Sequence, residues 1–118
     1  MLLSDVFAKV LVISNQSEPH RVMGAKAELI GCDFEFIDGV FIQHQDPLSA
    51  KVIGNRQAHL NAIKLAKQKG WQNVLVFEDD LLIDRPLMTE VLPKIKPIVD
   101  RCDWAVFYLG GRHRLLPK

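Results

Sequence analysis

Residues 74–83, V-L-V-F-E-D-D-L-L-I, decide the fold, because a short apolar run leads directly into three carboxylates. A run that is apolar at successive positions is typical of a strand buried on both faces of a parallel sheet. The carboxylates are Glu78, Asp79 and Asp80, and three adjacent acids repel one another unless a partner holds them. We therefore predict a strand over residues 73–77, inside a parallel sheet, with a ligand site where it ends.

Three further segments have the same strand-like character. Residues 6–14 predict a first strand, residues 34–37 a short second strand, and residues 103–109 a fourth. Helical patterns separate the strands, so the elements alternate along the chain. This alternation predicts an α/β sandwich with a mostly parallel sheet, formed as a single domain over residues 1–118.

The first two helices are predicted from their start and stop signals. One should occupy residues 17–31, and the other should begin at Lys51 or Asn55 and stop at Gly70. Residues 43–50, which precede the second helix, have the composition of a loop.

The third helix is predicted to be irregular. Asp84 follows the acids and can cap it, but Pro93 and Pro97 lie within its apolar pattern. Because proline has no N–H and clashes with the preceding turn, we predict a short helix, a break and a further turn.

Composition excludes several classes of protein. The chain has 118 residues, is 48% hydrophobic and 25% charged, and has a formal net charge of +1, so no global field favours nucleic acid or a membrane surface. No apolar run approaches the roughly 20 residues of a membrane span, and the N-terminal residues lack a signal-peptide pattern. Cys32 and Cys102 have no metal-binding spacing. They predict two buried free thiols in a reducing, cytoplasmic compartment.

The predicted topology brings several polar residues to one edge of the sheet, because ligands of open α/β sheets sit outside the carboxyl ends of the strands. Ser14 and Arg21 follow the first strand, and Arg112 follows the last. Alternation along a strand would point Glu78 and Asp80 the same way. Two carboxylates there would form an oxygen site for Mg²⁺ or Mn²⁺, completed by a phosphate.

Three segments together resemble glycosyltransferase family 25, which includes lipooligosaccharide and collagen galactosyltransferases. They are I-G at residues 53–54, A-H-L-N-A-I-K-L-A-K-Q-K-G-W-Q-N-V-L-V-F-E-D-D-L at residues 58–81, and D-W-A-V-F-Y-L-G-G at residues 103–111. The resemblance implies a GT-A fold, which is a Rossmann-like three-layer sandwich. It also implies a cytoplasmic role in transferring a hexose from a UDP-sugar to a glycan or other acceptor, as in lipopolysaccharide biosynthesis.

The resemblance also implies roles for individual residues. Glu78 and Asp80 would hold Mn²⁺ or Mg²⁺, and Asp79 would orient hydroxyls of the ribose or sugar. The remaining donor-binding residues would be Ser14, Arg21, His59 and Arg112.

The chain departs from the family pattern in ways that leave catalysis open. The family's Ser-His is Ala58-His59 here, and its Gly-Cys is Gly54-Asn55. Family members also continue past the Gly-Gly segment into an acceptor-binding half. We expect this chain to be an incomplete GT-A-like domain, in which donor binding is better supported than transfer.

Alternative interpretations accompany these roles. His59 could be a partly buried structural histidine on the inner face of its helix, and Arg21 and Arg112 could be solvated. The E-D-D segment also resembles a receiver domain, which holds Mg²⁺ beside a phosphorylated aspartate. That domain, however, needs an acid pair near its N-terminus and an Asp after a later strand. A non-catalytic nucleotide-binding or interaction module is a third possibility.

Overall fold

A computed structural model describes residues 1–103, and its helices and strands alternate as the sequence predicts. In chain order the elements are α1 (Leu3–Val6), β1 (Val10–Ile13), α2 (Pro19–Glu28), β2 (Glu35–Ile37), α3 (Pro47–Lys69), β3 (Leu75–Glu78) and α4 (Arg85–Arg101). This part of the chain is an α/β structure with four helices and one three-stranded sheet. The predicted fourth strand, apart from Asp103, and Arg112 lie outside the described residues.

Within residues 1–103 the sheet is parallel, with strand order β2-β1-β3. Val12, at the centre of β1, is in register with Phe36 of β2 on one side and with Phe77 of β3 on the other. Every residue of β1 is buried, which explains its continuous apolar sequence. Within residues 1–103, β3 pairs with β1 alone, so the interior position predicted for β3 stays a prediction.

The two faces of β1 belong to different layers of the structure. Val10 and Val12 join a buried cluster with residues of α1, α2 and α4. Leu11 and Ile13 alternate with them and are buried towards the other face, where α3 contacts β1. Helices therefore cover both faces of the sheet.

A stripe of small residues lets α3 approach the sheet closely. Gly54, Ala58, Ala62 and Ala66 recur every fourth residue on one side of the helix, and all are buried. At Gly54 the loop after β2 comes closest, since a β-carbon built there would overlap the carbonyl oxygen of Val40. Gly54 is therefore required by packing against the loop.

The helix boundaries differ in part from those predicted. α3 starts at Pro47, before the predicted Lys51, because Asp46 caps it by accepting the N–H of Leu48 at 3.1 Å. The expected loop over residues 43–50 is therefore wrong in its second half. The predicted stop at Gly70 is confirmed by its left-handed φ of 72°.

The predicted break in α4 is wrong, because the helix continues through both prolines to Arg101. Pro93 and Pro97 lie four residues apart on the exposed side, where the carbonyl groups they leave unpaired can bind water. The opposite side buries Leu92, Ile95 and Val99, and this packing stabilises the helix. The predicted cap is confirmed, since Asp84 accepts the N–H of Leu87 at 3.1 Å.

The first strand is shorter than predicted. β1 covers residues 10–13, whereas the residues Leu3–Val6 form the short helix α1, in which Asp5 accepts the N–H of Leu2 at 2.6 Å. Val6 and Phe7 are nevertheless buried in the same core as the strand. An apolar run gives no periodicity that would separate the helical part from the strand.

Both cysteines are free thiols, as predicted. Cys32 is half-buried, but Cys102 is exposed, so the predicted burial is wrong for Cys102. None of the helices within residues 1–103 is long and apolar enough to cross a bilayer.

Candidate functional site

The strand order defines a crevice at the carboxyl edge of the sheet. From β1 the chain passes through α2 to β2 on one side, and then through α3 to β3 on the other side of β1. The carboxyl ends of β1 and β3 therefore border a topological switch point, which is where open α/β sheets bind ligands. The residues that follow these two strands form the candidate site.

Ser14 connects the ends of all three strands. It is buried, with 3% of its surface exposed, and its N–H donates to the carbonyl of Ile37, the last residue of β2, at 2.9 Å. Its hydroxyl donates to Oδ2 of Asp79 at 2.8 Å and accepts the N–H of Gln16 at 3.1 Å. The N–H and the hydroxyl of Ser14 therefore both help to fix the shape of the crevice.

The loop after β1 has an uncommon backbone conformation close to Ser14. Gln16 has a φ of 58°, in the left-handed region that residues with a β-carbon adopt at a cost. The Asn15 side chain accepts hydrogen bonds from the N–H and hydroxyl of Ser17, and the Gln16 N–H is held by Ser14. These local bonds offset the cost and fix the loop at the edge of the crevice.

Asp79 is the most enclosed of the three acids. Only 11% of its side chain is exposed, its Oδ2 accepts from Ser14, and its Oδ1 lies 3.5 Å from Nη1 of Arg21. Both of its oxygens therefore have protein partners. Asp79 acts as a fixed anion that positions Arg21.

Arg21, in the first turn of α2, contacts both aspartates. Its Nη2 lies 3.9 Å from Oδ2 of Asp80, while its Nε lies 3.9 Å from Glu18. The Asp80 side chain is 66% exposed and keeps carboxylate oxygens open to solvent. The crevice thus presents one fixed acid, one solvated acid and one cation between them.

The side-chain alternation predicted for the three acids stops at Glu78. It is the last residue of β3, and its carbonyl accepts the N–H of Leu81, so the next two residues lie in a turn. Alternation ends there, and Asp79 and Asp80 both reach the same guanidinium group. Glu78 is exposed, and among residues 1–103 its carboxylate has no hydrogen-bond or ion-pair partner.

The donor set fits a cation that is shared with a ligand. No group of three or more His, Cys, Asp or Glu side chains converges as a metal site in the described part of the chain. Mg²⁺, however, is commonly bound through one or two carboxylates together with waters and substrate phosphates. Asp80 and the adjacent Glu78, both exposed, can supply that number of carboxylates, since both oxygens of Asp79 already have partners.

One predicted site residue in the described part of the chain does not join this cluster. His59 is exposed on α3, next to the inward-facing Ala58, so the predicted inner-face position is wrong. At 1.5 Å per residue, His59 lies about 18 Å along α3 from the first residue of that helix, Pro47. Arg112 lies outside the described residues.

A cleft beside the loop after β2 was not anticipated from the sequence. It has a volume of about 810 Å³ and lies between loop residues such as Phe41 and Ile42 and the start of α3 at Ala50 and Lys51. Phe41 is 87% exposed, which is unusual for an aromatic residue. Scattered apolar residues in a polar loop gave no periodic signal that would have predicted this cleft.

Comparisons with models of known families, with curated proteins and with solved structures found no match.

Proposed function

We propose that the chain is a GT-A-like domain that binds the diphosphate of a nucleotide sugar with a divalent cation, as in family 25 transferases. The observation that supports this most is the meeting of Ser14, Arg21, Asp79 and Asp80 at the switch-point crevice. The start of α2 and the turn after β3 bring a cation and two carboxylates together from positions 58 residues apart or more. This combination suits a ligand that carries phosphate groups and a metal ion.

Each residue would have a distinct task in donor binding. Asp80 and Glu78 are exposed carboxylates that would approach Mn²⁺ or Mg²⁺, and the ion, when bound, would neutralise charge on a leaving diphosphate. Arg21 would pair with phosphate oxygens, for which its guanidinium group has suitable geometry. Asp79, held by Ser14, would keep Arg21 in place and has little remaining capacity for sugar hydroxyls.

The proposal concerns donor binding. Transfer also needs a general base for the acceptor hydroxyl, and no residue in the crevice is assigned to that task. The two free cysteines favour a reducing compartment, in agreement with a cytoplasmic location.

The receiver-like alternative has less support from the arrangement of acids. β1 is followed by Ser14 and Asn15, whereas a receiver domain needs an acid pair at that end of the sheet. The acids here follow β3, and one of them, Asp79, is enclosed by Ser14 and Arg21. An enclosed carboxylate with both oxygens engaged is poorly placed to accept a phosphoryl group.

Calorimetry with UDP tests the proposal. We expect UDP to bind in the presence of Mn²⁺ and to bind more weakly in the presence of a chelator. Asp80→Asn should weaken the Mn²⁺-dependent part, whereas Asp100→Asn, which alters an exposed aspartate on α4, should leave it unchanged. Equal binding with Mn²⁺ and with chelator would refute the metal role, and no UDP binding in either condition would refute donor binding.

A further inference from the structure

The side of α3 that faces away from the sheet combines cations with apolar residues. Its inner side is the buried stripe of small residues that packs towards the sheet. At 3.6 residues per turn, the opposite side holds a second set that recurs every three or four positions. We call this set the outer stripe, and all of its members are exposed: Ile53, Arg56, Leu60, Ile63, Lys64 and Lys67.

Positive charge is concentrated on α3. The helix contains no Asp or Glu and has five cations, which are Lys51, Arg56, Lys64, Lys67 and Lys69. Since the whole chain carries +1 and α3 carries +5, the remaining residues together carry −4. Within residues 1–103, no cation of α3 forms an ion pair with a carboxylate. A chain that is nearly neutral overall therefore has one strongly positive helix whose charges face solvent.

The apolar members of the outer stripe are also accessible. Ile53, Leu60 and Ile63 are 39%, 43% and 59% exposed. Single exposed apolar residues are common, but these three share one side of a helix and alternate with cations. Long cationic side chains can extend past apolar neighbours towards a polar phase. The combination is typical of a helix that lies in the interface of an anionic bilayer, with apolar side chains inserted and cations near the headgroups.

Other occupants of the outer stripe account for it less well. A symmetric contact with a second copy would bring the same surface patch against itself, so cations such as Arg56 and Lys64 would face like charges. A nucleic acid backbone would satisfy the cations but has no apolar phase for Leu60 and Ile63. A lipid surface offers partners for both kinds of side chain.

We propose that the outer stripe of α3 binds the surface of an anionic lipid bilayer, with the helix axis parallel to the membrane plane. From Ile53 to Lys67 the stripe extends about 21 Å at 1.5 Å per residue, so it can contact more than one headgroup. Contact of this kind needs no helix that crosses the bilayer. The inference does not depend on donor binding, because no residue of the crevice lies on α3.

Co-sedimentation of the full chain with large unilamellar vesicles tests this proposal. Vesicles of phosphatidylcholine alone are compared with vesicles of equal parts phosphatidylcholine and phosphatidylglycerol. We expect binding to the anionic vesicles to be at least about tenfold tighter, and added salt to reduce the difference because it screens the cations of α3. Equal binding to both kinds of vesicle, or binding to neither, would overturn the proposal.

Removal of the three stripe cations tests the electrostatic part. The triple variant Arg56→Gln, Lys64→Gln, Lys67→Gln should bind the anionic vesicles at least about 20-fold more weakly, since each cation near such a surface contributes about fivefold. Circular dichroism of this variant, compared with the wild type, checks that α3 is retained.

A matched triple variant controls for net charge. Lys26→Gln, Lys94→Gln, Arg101→Gln removes three exposed cations of α2 and α4, so its net charge equals that of the stripe variant. Its affinity for the anionic vesicles should fall less than about threefold, because these charges lie outside α3. Equal losses in the two triple variants would attribute binding to net charge and overturn the assignment to α3.

The apolar part is tested by Leu60→Gln combined with Ile63→Gln, which keeps every cation. This double variant should bind the anionic vesicles at least about fivefold more weakly, because less apolar surface can be inserted. Ile30→Gln combined with Leu82→Gln alters residues that are 70% and 88% exposed outside α3, and it should bind as the wild type does. Unchanged affinity of the Leu60 and Ile63 variant would overturn insertion of the stripe.

Two further measurements identify the other occupants. Sedimentation equilibrium without vesicles would assign the stripe to a second copy if it showed a dimer that dissociates in the Leu60 and Ile63 variant. Duplex DNA that binds as tightly as the anionic vesicles, and is unaffected by the same variant, would assign the stripe to a phosphate backbone. Either result would overturn the proposal.

Discussion

The hydroxyl of Ser14 donates a 2.8 Å hydrogen bond to the carboxylate of Asp79, a residue 65 positions further along the chain. The bond joins the carboxyl ends of β1 and β3, and both partners are largely enclosed, at 3% exposure for the Ser14 residue and 11% for the Asp79 side chain. A hydrogen bond to a charged group contributes more than a neutral one, and its loss leaves a poorly solvated anion. This bond therefore affects stability as well as the shape of the crevice.

Ser14→Ala should destabilise the protein by about 1–3 kcal/mol, because Asp79 loses its hydroxyl partner and the N–H of Gln16 loses its acceptor. The free energy of unfolding from urea titration measures the change. Ser17→Ala, which alters an exposed serine in the same loop, should stay within about 0.5 kcal/mol of the wild type. Similar losses in the two variants would show that the loop, and not the Ser14–Asp79 bond, determines stability.

Gly54→Ala and Gly24→Ala should have opposite effects. An alanine β-carbon at position 54 would overlap the carbonyl oxygen of Val40, so the loop must move, with a cost of about 1–3 kcal/mol. Gly24 lies exposed within α2, and a β-carbon there meets nothing within 4 Å, so alanine should stabilise by up to about 1 kcal/mol. Thermal melts of the two variants test this. A gain in melting temperature for Gly54→Ala would contradict the close approach.

Pro97→Ala should stabilise α4. The change restores a backbone N–H that can bond the carbonyl four residues earlier, at an exposed position where no packing is lost. We expect a gain of about 1–2 kcal/mol in the free energy of unfolding, which is less than the full helix-propensity difference because the unfolded chain also gains freedom. Pro86→Ala, in the first turn, should give no such gain. A loss on Pro97→Ala would show that α4 does not continue through this position.

Asp79→Asn should cost more stability than Asp80→Asn. Asp79 is enclosed and bonded to Ser14 and Arg21, so loss of its charge should cost about 1–3 kcal/mol. Asp80 is 66% exposed and makes one long contact with Arg21, so its change should stay below about 1 kcal/mol. Urea titration of both variants provides the comparison. Equal costs would mean that the two acids share one environment.

The same two variants should rank differently for ligand binding. In thermal melts with Mn²⁺ and UDP, Asp80→Asn should lose most of the ligand-induced rise in melting temperature although its own stability is nearly unchanged. A wild type whose melting temperature is unaffected by Mn²⁺ and UDP would contradict the site itself.

The order of elements could be predicted from sequence because each strand is a short apolar run and each helix has a cap or a stop signal. For example, the Asp84 side chain caps the start of α4, and Gly70 ends α3 with a left-handed backbone conformation. Both act within a few residues of the helix end. The boundaries of α1 and the continuity of α4 could not be predicted this way. Both depend on tertiary packing. Val6 is buried within α1, and the burial of Leu92 and Val99 stabilises α4 by more than its two internal prolines destabilise it.

For the candidate site, the sequence indicated which loops would meet but not how their side chains would pair. Topology places Ser14, Arg21 and the acids at one edge, and the strand order of the described part agrees with that. Strand alternation predicts that Glu78 and Asp80 point the same way and hold the metal. The turn that begins at Glu78 ends that alternation. The position of His59 was misjudged because Ala58 and Ala62, its small neighbours, occupy the side that faces the sheet.

The central position of β1 has a consequence for folding kinetics. Its pairing with β3 joins residues such as Ser14 and Asp79, which are 65 positions apart, and closing a loop of that length costs on the order of 4 kcal/mol of chain entropy. The pairing of β1 with β2 spans a much shorter segment, from Val12 to Phe36, and can form earlier. Docking of β3 should therefore be the slow step for residues 1–103. The crevice is then complete only when β3 has docked, because its acids lie at and after the end of that strand.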